Sequence, residues 1–405
     1  MIDLLKTLED RGFIEQLTHE DEIRKILSNE KISFYIGIDP TADSLHIGHF
    51  IALMFASHLQ KAGHRPVILI GGGTATIGDP TFKTDMRKML SKEDIDNNVI
   101  KIKKQIEKFI TFEGENPAII VNNADWLCKL NYIDFMKEIG SQFTISRMIS
   151  QECYKNRLET GLTFFEMGYL LMQSYDFLYL HDNYGVKMQI GGNDQWSNII
   201  GGVELIRKIG NNDSYGLTFK LLTTSDGKKM GKTEKGALWL NPERTSPYDF
   251  YQYWRNIEDT KVEEVLSLLT YFPMDEVKRL SSFEGEQINE AKKIAAFEIT
   301  KLIHGEDEAI KARNAAEALF GGNKNTENMP TTKLDSDNMS ILDILVISGL
   351  TSSKGQAKDL IKQGGISLND ERITDIAYIL SSKDFEKGYA ILQKGKKTFH
   401  KLEIS

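Results

Sequence analysis

Short apolar runs alternate with helical patterns over the first two-thirds of this 405-residue chain. Each run is rich in Ile, Val, Leu, Phe or Tyr and ends near Gly, Pro, Asn or Asp, as buried strands do before a turn. Strands that alternate with helices predict an α/β fold with a parallel sheet and helices on both of its faces. Ligands of such sheets bind at the carboxyl ends of the strands. The strands are predicted at residues 33–38, 66–71, 118–121, 186–191 and 217–222.

Two capping boxes indicate where helices begin, since in each a Ser or Thr is followed three residues later by an acidic residue. Ser91 with Asp94 opens a helical pattern that we expect to reach Ile110, and Thr163 with Glu166 opens another. After residue 245 the strand signals fade and amphipathic helices are expected, for example over residues 262–271 and 287–304.

The chain is therefore expected to have three domains. The first covers residues 1–245, an α-helical domain covers 246–320, and 321–338 form a linker rich in Asn, Thr, Asp and Gly. Residues 339–405 are expected to form a small α+β domain. Its helices are predicted at 341–347 and 354–362, and its strands at 366–368, 373–379 and 389–392.

Composition excludes several classes of protein. No apolar run approaches the roughly 18 residues of a membrane span, and the N-terminus lacks the basic and apolar regions of a signal peptide. Cys128 and Cys153 are too few for a disulfide framework or a four-ligand zinc site. We therefore expect a cytoplasmic protein with no membrane partner and no structural metal.

The net charge is −8, which taken whole argues against a nucleic-acid partner, because binding to nucleic acid rests largely on phosphate neutralisation. The charge is unevenly distributed. Residues 339–405 carry ten Lys and Arg against eight Asp and Glu, a net charge of +2, so the remainder carries −10. Any contact with RNA should therefore be local and sensitive to salt.

The stretch from Tyr35 to His49 runs from a strand through a turn into a helix that begins near His46. A helix N-terminus with nearby histidines suits a polyphosphate, because free N–H groups and the helix dipole favour anions. His46 and His49 are spaced to face one ligand, and Gly48 between them lets a bulky group approach. A plain helix cap with two surface histidines is the alternative. A zinc site is disfavoured because no third ligand accompanies the pair.

A glycine-rich loop over residues 71–80 directly follows the second predicted strand. It lacks the Gly-Lys-Ser/Thr of a P-loop and the dinucleotide-binding glycine spacing. The pattern alone favours a functional and a structural role equally. Lys83 and Arg87 follow it at a spacing of four and offer two cations at one edge.

Three further patterns carry polar groups. Tyr169, Gln173 and Asp176 share one helix face, and the pattern alone favours an exposed polar stripe over a binding site. Asp194 follows Gly191-Gly192 after a strand, where acidic residues accept from ribose hydroxyls in nucleotide-binding folds. The loop Lys228-Lys229-Met230-Gly231-Lys232-Thr233 is either a mobile phosphate clamp or a solvated charge run.

Together, the His-Ile-Gly-His helix start and the Lys-Met-Gly-Lys-Thr loop resemble the HIGH and KMSKS signatures of class I aminoacyl-tRNA synthetases. The strings Asp-Pro-Thr-Ala-Asp-Ser-Leu-His-Ile-Gly-His, Gln-Ile-Gly-Gly-Asn-Asp-Gln-Trp and Tyr-x-x-x-Gln-x-x-Asp resemble the bacterial tyrosyl-tRNA synthetase family in particular. The resemblance covers essentially the whole chain. It implies a Rossmann-like catalytic domain, an anticodon-region helical domain and an S-four-like RNA-binding domain.

The resemblance also implies the reaction: L-tyrosine and ATP form tyrosyl-adenylate and pyrophosphate, and tyrosine then moves to the 3′ end of tRNA(Tyr). Magnesium is expected with the phosphates of ATP. For tyrosine, the implied phenol partners are Tyr35 and Asp176, the implied ammonium partners are Tyr169 and Gln173, and Asp79 and Asn123 lie nearby. For ATP, the implied contacts at the adenosine are Asp39, Gly192 and Asp194, and Gly48 is a further ATP-binding residue. Thr41, His46 and His49 are implied at the phosphates and ribose, and Lys83, Arg87, Lys229 and Lys232 at the pyrophosphate.

Two features depart from the family pattern. The lysine loop has Gly231 and Thr233 in place of two serines, and Ile36 stands where relatives carry a polar or thiol side chain that can touch the ribose. The second departure puts that one contact in doubt. Phenylalanine would leave the phenol partners unpaired, so no editing domain is required; tyrosyl-tRNA synthetases are themselves the standard example of that effect.

The resemblance implies further partners. Lys354, Lys358 and Lys362 form one basic helix face, joined by Lys394, Lys396 and Lys397, and are expected to bind tRNA. A homodimer is implied, with its interface on an insertion over residues 126–165. Three alternatives stay open: a tryptophanyl-tRNA synthetase, an inactive synthetase relative that binds RNA, and a nucleotidyltransferase acting on a small alcohol.

Overall fold

A computed structural model describes the chain apart from residues 1–2, 82–90, 152–153, 155–157, 159, 234–235, 319–328, 335, 337, 386–387, 396–397 and 405, and apart from the side chains of Lys232, Thr233 and Ala318. The described chain divides into two compact units. The first contains Met1–Lys232, Ala237–Asn241 and Ile257–Ala295, and the second contains Thr233–Gly236, Pro242–Asn256 and Ala296–Ser405. No described helix is long and apolar enough to cross a membrane.

The helices of the described residues, numbered in chain order, are α1 (Leu4–Asp10), α2 (Glu20–Asn29), α3 (Ile47–Lys61), α4 (Lys92–Ile106), α5 (Ala124–Leu127), α6 (Tyr132–Glu138), α7 (Ile145–Ile149), α8 (Phe164–Tyr184), α9 (Trp196–Gly210), α10 (Pro247–Arg255), α11 (Val262–Leu269), α12 (Met274–Ser281), α13 (Ile288–His304), α14 (Glu306–Ala318), α15 (Ile341–Ile347) and α16 (Lys354–Lys362).

The strands are β1 (Ile14–Leu17), β2 (Ser33–Ile38), β3 (Arg65–Ile70), β4 (Ile119–Asn122), β5 (Val186–Gly192), β6 (Tyr215–Phe219), β7 (Lys232–Thr233), β8 (Gly236–Ala237), β9 (Thr331–Leu334), β10 (Ile366–Leu368), β11 (Glu371–Arg372), β12 (Tyr389–Lys394) and β13 (Thr398–Ile404).

The sheet of the first unit has the strand order β1-β6-β5-β2-β3-β4. All of its neighbours are parallel except β1, which pairs antiparallel with β6. The chain builds outward from β2 in one direction through β3 and β4, and in the other through β5 and β6. The strand order therefore reverses between β2 and β5, which is where such sheets bind their ligands. The α/β class predicted from the sequence is confirmed.

Several predicted boundaries need correction. The strand expected at 217–222 is Tyr215–Phe219, because Leu222 is buried beyond the sheet and extends the apolar pattern. The helix expected to reach Ile110 ends at Ile106, although Ile110 is buried as well. Strand β1 was not expected, since only two of its four residues are apolar.

Part of the predicted helical domain packs within the first unit. The guanidinium of Arg11 is buried and donates to the carbonyl oxygens of Ser267 and Phe272, at 3.0 and 2.9 Å, at the end of α11. The Lys61 ammonium lies over the Tyr271 ring, 3.1 Å from its centre. These contacts hold residues of the predicted 246–320 domain against α1 and α3, so the first unit does not end at residue 245.

The tail of the chain forms a second sheet with the order β11-β10-β12-β13-β9. Strand β9 pairs in parallel with β13 and lies inside the predicted linker, so the linker prediction is wrong for Thr331–Leu334; residues 321–328 lie outside the described part. The strand predicted at 373–379 is also wrong. Asp375 accepts hydrogen bonds from Ala377 N and Tyr378 N, which turns the chain there.

Candidate active site

A cavity of about 430 Å³ opens at the carboxyl ends of β2 and β5. Its walls come from both of these strands, the glycine-rich loop, α8, and the lysine loop. Most of the residues that the sequence singled out line it together: Tyr35, Asp39, Thr41, His46, Gly48, His49, Asp79, Asn123, Tyr169, Gln173, Asp176, Gly192, Asp194 and Lys229.

One end of the cavity combines a phenol and a carboxyl group. Tyr35 is 1% exposed, and its hydroxyl has no hydrogen-bond partner among the described residues. Asp176, also 1% exposed, accepts from Asn123 Nδ2 at 2.8 Å and from Trp126 Nε1 at 2.7 Å, one donor on each oxygen. A buried hydroxyl without a partner costs free energy, so this end of the cavity is suited to a ligand that carries a hydrogen-bonding group.

Burial governs protonation at this end. It raises the pKa of Asp176 to about 8, against the lowering effect of its two donors. Burial, and then the charge of Asp176, raises the pKa of Tyr35 well above its usual value. The phenol therefore stays protonated at neutral pH, and the carboxyl group can change protonation near physiological pH.

Asp39 lines the cavity and has two hydroxyl partners. It accepts from Tyr169 Oη at 2.9 Å and from Thr74 Oγ1 at 2.8 Å. The backbone of Gly71 passes so close that a Cβ there would collide with the Asp39 carboxylate and the Thr74 hydroxyl. The glycine-rich loop thus needs Gly71 in order to pack against Asp39.

Asn123 connects the glycine-rich loop to the phenol end. It is fully buried, accepts from Gly73 N at 2.7 Å, and donates to Thr74 Oγ1 at 3.1 Å as well as to Asp176. The amide therefore fixes the carboxyl group of Asp176 relative to the loop.

Gln195 links Gln173, which was predicted at the ammonium group, to Asp79, which was predicted nearby. It donates to Asp79 Oδ2 at 2.7 Å and accepts from Gln173 Nε2 at 3.3 Å. Gln173 Oε1 is buried without a partner among the described residues, which leaves an acceptor available for a cationic group. This cluster offers carboxylate and amide oxygens together, the chemistry that an ammonium group requires.

The two histidines cap α3. His46 is the N-cap residue, and its Nδ1 accepts from Gly48 N at 3.1 Å, while His49 Nδ1 accepts from His46 N at 3.2 Å. The ring centres lie 4.1 Å apart. Because each Nδ1 accepts a backbone N–H, the neutral rings carry their protons on Nε2. The cap alternative and the ligand alternative are thus compatible: one nitrogen caps the helix and the other is a donor.

Another part of the cavity wall joins β5 to the lysine loop. Gly192 ends β5, and a Cβ there would lie 2.7 Å from Asp194 Oδ1 and 2.9 Å from Leu221 Cδ2. Asp194 forms an ion pair with Lys229, with Nζ 2.9 Å from Oδ2. Ile36 lines the same cavity with an apolar side chain.

Some predicted residues cannot be placed in the cavity. Lys83, Arg87, Lys396 and Lys397 lie outside the described residues, as does the side chain of Lys232. On α16, Lys354, Lys358 and Lys362 are exposed, and Lys354 pairs with Asp343 at 2.5 Å. Among the described residues no group of three or more His, Cys, Asp or Glu could hold a metal ion.

Sequence reasoning missed four residues of this cavity and its wall. Thr74, Gln189 and Gln195 line the cavity, and Trp126 donates a hydrogen bond to Asp176. Gln195 was detectable, because it stands next to Asp194 in the Gly-Gly-Asn-Asp-Gln string. Trp126 carried no such signal, since its partner lies fifty residues further along the chain.

Two family models match this chain, one after the other along the sequence. Residues 27–321 match the family described as tRNA synthetases class I (W and Y), and residues 323–402 match the tyrosine–tRNA ligase SYY-like C-terminal domain. The tyrosine–tRNA ligases of Clostridium perfringens (strain 13 / Type A) and Clostridium botulinum (strain 657 / Type Ba4) are 58% and 57% identical over 407 aligned positions that cover 100% of each chain.

Solved structures share the fold. A C-terminally truncated mitochondrial tyrosyl-tRNA synthetase from Aspergillus nidulans has a TM-score of 0.70 at 27% identity, over 79% of this chain and 95% of its own. A tyrosyl-tRNA synthetase from Archaeoglobus fulgidus, complexed with L-tyrosine, has the same fold at 19% identity, with a TM-score of 0.58 over 77% of this chain and 100% of its own.

The fold, the cavity at the strand-order reversal and the match over residues 27–321 define a class I aminoacyl-tRNA synthetase. Within that class the chain belongs to the tyrosine–tRNA ligase family, because 58% identity extends over its full length. The family resemblance inferred from the sequence motifs is confirmed.

Proposed function

We propose that this protein activates L-tyrosine with ATP to form tyrosyl-adenylate and pyrophosphate, and then transfers tyrosine to the 3′ end of tRNA(Tyr). The observation that carries the proposal is the hydroxyl of Tyr35, which is buried in the same cavity as Asp176 and has no hydrogen-bond partner in the described part of the chain. A substrate phenol would hydrogen-bond both groups. Phenylalanine would leave the Tyr35 hydroxyl without a partner among the described residues and would add none to Asp176, which keeps its two protein donors. Sites built in this way reject the analogue without the hydroxyl by a factor of about 10⁴ to 10⁵, a range for which this family is itself the reference example.

The ammonium group of tyrosine would bind at Tyr169, Gln173 and Asp79. Tyr169 and Asp79 are held by Asp39 and Gln195 respectively, so their positions are set before the substrate arrives. Pre-set partners lower the cost of ordering the site on binding.

In the activation step, a tyrosine carboxylate oxygen would attack the α-phosphorus of ATP, and the bond from that phosphorus to the pyrophosphate oxygen would break. The attacking group is an anion, so no enzyme nucleophile is needed; the protein must orient two anions and offset the charge that develops. His46, His49, Thr41 and Lys229 are the described candidates, with Asp39, Gly192 and Asp194 at the adenosine and Gly48 as a further ATP-binding residue. Lys83, Arg87 and Lys232 are proposed on the motif alone. Mg²⁺ would enter on the phosphates of ATP as part of the substrate.

The basic face of α16 is proposed to bind tRNA. Lys354, Lys358 and Lys362 are exposed along one side of the helix, in a tail whose net charge is positive. If these lysines contact phosphates, the affinity for tRNA should fall steeply as salt rises, because counterions are released on binding.

A homodimer is proposed on the insertion over residues 126–165. Among the described residues, seven of the thirteen large apolar side chains that stand exposed lie in this insertion. They include Ile133 (67% exposed), Phe164 (66%), Tyr132 (61%) and Ile145 (58%). Exposed apolar groups clustered in this way mark protein interfaces. Sedimentation should give a dimer mass for the wild type and a smaller species for Phe164→Asp; a wild-type monomer at micromolar concentration would contradict the proposal.

The activity is tested by amino-acid-dependent exchange of pyrophosphate into ATP with all twenty amino acids. We expect tyrosine to support exchange and phenylalanine to fall short of it by at least about 10⁴-fold. Tryptophan as the preferred substrate would replace this proposal with the tryptophan alternative. The absence of exchange with every amino acid would indicate an inactive relative that binds RNA.

A further inference from the structure

Helix α4 holds the loop that precedes the two histidines. Three of its side chains, at spacings of three and four residues and thus on one face, contact successive parts of the loop. Asn98 Nδ2 donates to Pro40 O at 2.9 Å. Lys101 Nζ lies 3.1 Å from Asp43 Oδ2.

The third contact, from Gln105, is the most demanding of the three. Gln105 Oε1 accepts from Leu45 N at 3.0 Å and from Ser44 Oγ at 3.3 Å. Ser44 and Leu45 are 2% and 0% exposed, so the donor groups have little access to water. The Lys101 side chain, by contrast, is 56% exposed, and exposed ion pairs contribute little.

The position of Gln105 matters because Leu45 directly precedes His46. The N-cap conformation of His46 sets the contact of its Nδ1 with Gly48 N and the contact of His46 N with His49 Nδ1. On the other side, Leu240 N donates to Leu45 O at 2.8 Å and Asn241 N donates to Ser44 Oγ at 3.2 Å. The loop thus forms hydrogen bonds with α4 on one side and with residues 240–241 on the other. On the α4 side, Gln105 supplies the acceptor for Leu45 N.

We propose that Gln105 is a positioning residue for the activation step: its side-chain carbonyl fixes Leu45 and thereby the orientation of His46 and His49 toward the phosphates of ATP. The inference rests on the proposed function and extends it to Gln105, which is sixty residues from Leu45 in the sequence and is not among the described residues that line the cavity. Tyrosine binding does not depend on this contact, because the tyrosine end of the cavity is built from other elements.

The test compares three variants of the full-length protein. Gln105→Met keeps the length of the side chain and removes the acceptor, whereas Gln105→Glu keeps acceptor oxygens for both donors. Gln60→Met is the matched control: Gln60 also accepts from a backbone N–H, that of Thr111 at 3.0 Å, but at the far end of α3. Each variant is measured for kcat in pyrophosphate exchange, for tyrosine affinity by equilibrium dialysis, and for unfolding in urea.

We expect Gln105→Met to lower kcat by about tenfold or more, as for the loss of one buried hydrogen bond that orients a reacting group. Tyrosine affinity should change by less than about twofold, and Gln105→Glu should restore most of kcat. Equal losses in kcat and tyrosine affinity would overturn the proposal, as would a wild-type kcat in Gln105→Met. The proposal would also be overturned if kcat fell in proportion to the loss of stability, with the same proportion in Gln60→Met and in Gln105→Met.

Hydrogen exchange of the Leu45 amide separates this inference from the proposed function. The amide should be protected in the wild type and in Gln105→Glu and should exchange faster in Gln105→Met, whatever the reaction catalysed. A wild type without tyrosine-dependent exchange would contradict the proposed function. Unchanged protection of the Leu45 amide in Gln105→Met would contradict the positioning role.

Discussion

Lys229 Nζ lies 2.9 Å from Asp194 Oδ2, which joins the lysine loop to the turn after β5. The two groups have different proposed roles, Lys229 at the pyrophosphate and Asp194 at the adenosine. Binding of ATP would therefore break this ion pair, and Lys229 and Asp194 would each contact a different part of ATP. Asp194 is the less exposed partner, at 23% against 47%, so Lys229 is the group freer to move.

Removing this cation should slow activation without weakening tyrosine binding. We expect Lys229→Met to lower kcat for exchange by about 10²- to 10³-fold, the usual loss for one group that stabilises developing charge. Lys228→Met is the control, because Lys228 is 81% exposed and pairs with Asp226 in the same loop. Steady-state exchange and tyrosine dialysis measure both effects. Similar losses in the two variants would argue against a specific role for Lys229.

The hydroxyl of Tyr35 should lower the free energy of unfolding and raise the selectivity for tyrosine over phenylalanine. Tyr35→Phe removes a buried hydroxyl without a partner, so we expect the free energy of unfolding to rise by about 1 kcal/mol. The same change should lower kcat/KM for tyrosine by about tenfold while leaving phenylalanine little affected. Urea unfolding and exchange with both amino acids measure these quantities.

The control for that change is Tyr154→Phe. Tyr154 is equally buried, but its hydroxyl donates to Met167 O at 3.2 Å, so its loss should lower stability and leave the ratio of tyrosine to phenylalanine activity unchanged. A less stable Tyr35→Phe variant with unchanged selectivity would show that the hydroxyl has a structural role instead.

Asp176 should make stability fall as pH rises. Its pKa lies near 8 in the folded protein and near the ordinary 3.8 in the unfolded chain, so its contribution is complete below pH 4 and is lost as pH rises to about 8. The slope can reach about 1.4 kcal/mol per pH unit. We expect the unfolding free energy of the wild type, relative to Asp176→Asn, to fall between pH 5 and pH 8.

The exposed neighbour Asp125 provides the comparison. Asp125→Asn should follow the wild type at every pH, since no buried carboxyl group is removed. A difference between the wild type and Asp176→Asn that stays constant over this pH range would refute the linkage.

The residue after which the chain is truncated should decide whether the shortened protein stays soluble. Ending the chain after residue 328 removes the whole second sheet, whereas ending it after residue 337 leaves β9 without its partner β13 and exposes the buried Leu334. We expect the shorter protein to be soluble, to retain exchange and to lose tRNA charging. The longer one should aggregate, because an unpaired strand edge invites association. Equal solubility in light scattering would show that β9 does not depend on β13.

The elements that the sequence predicts best are those with local causes. The capping boxes of Ser91 and Thr163 form as expected, and β2 has its expected bounds, because a short run of residues contains all the information needed. The edge strands β1 and β9 were missed, since each has few large apolar residues and depends on a distant partner strand. The partner of β1 is β6, about two hundred residues away, and the partner of β9 is β13, about seventy residues away.

The same distinction applies to the cavity. Spacing along α8 correctly grouped Tyr169, Gln173 and Asp176 in one place. Spacing could not reveal that Trp126 and Asn123 both donate to Asp176, or that Gln105 contacts Leu45, because these pairs meet only through tertiary packing. Nor could it reveal that the Tyr35 hydroxyl lacks a partner among the described residues, which depends on the absence of a nearby group rather than on any pattern of residues.

The parallel pairing of β9 with β13 places the first and last strands of the tail next to each other, with both running in the same direction. Thr331, where the tail sheet begins, lies opposite Lys401, and Leu334 lies opposite Ile404. The chain therefore enters this sheet at one end of the strand pair and leaves it at the other end. Residues 329–404 are thus suited to end-to-end fusion behind another domain, whereas insertion into a loop or joining of the two ends would require a linker that runs back along the strand pair.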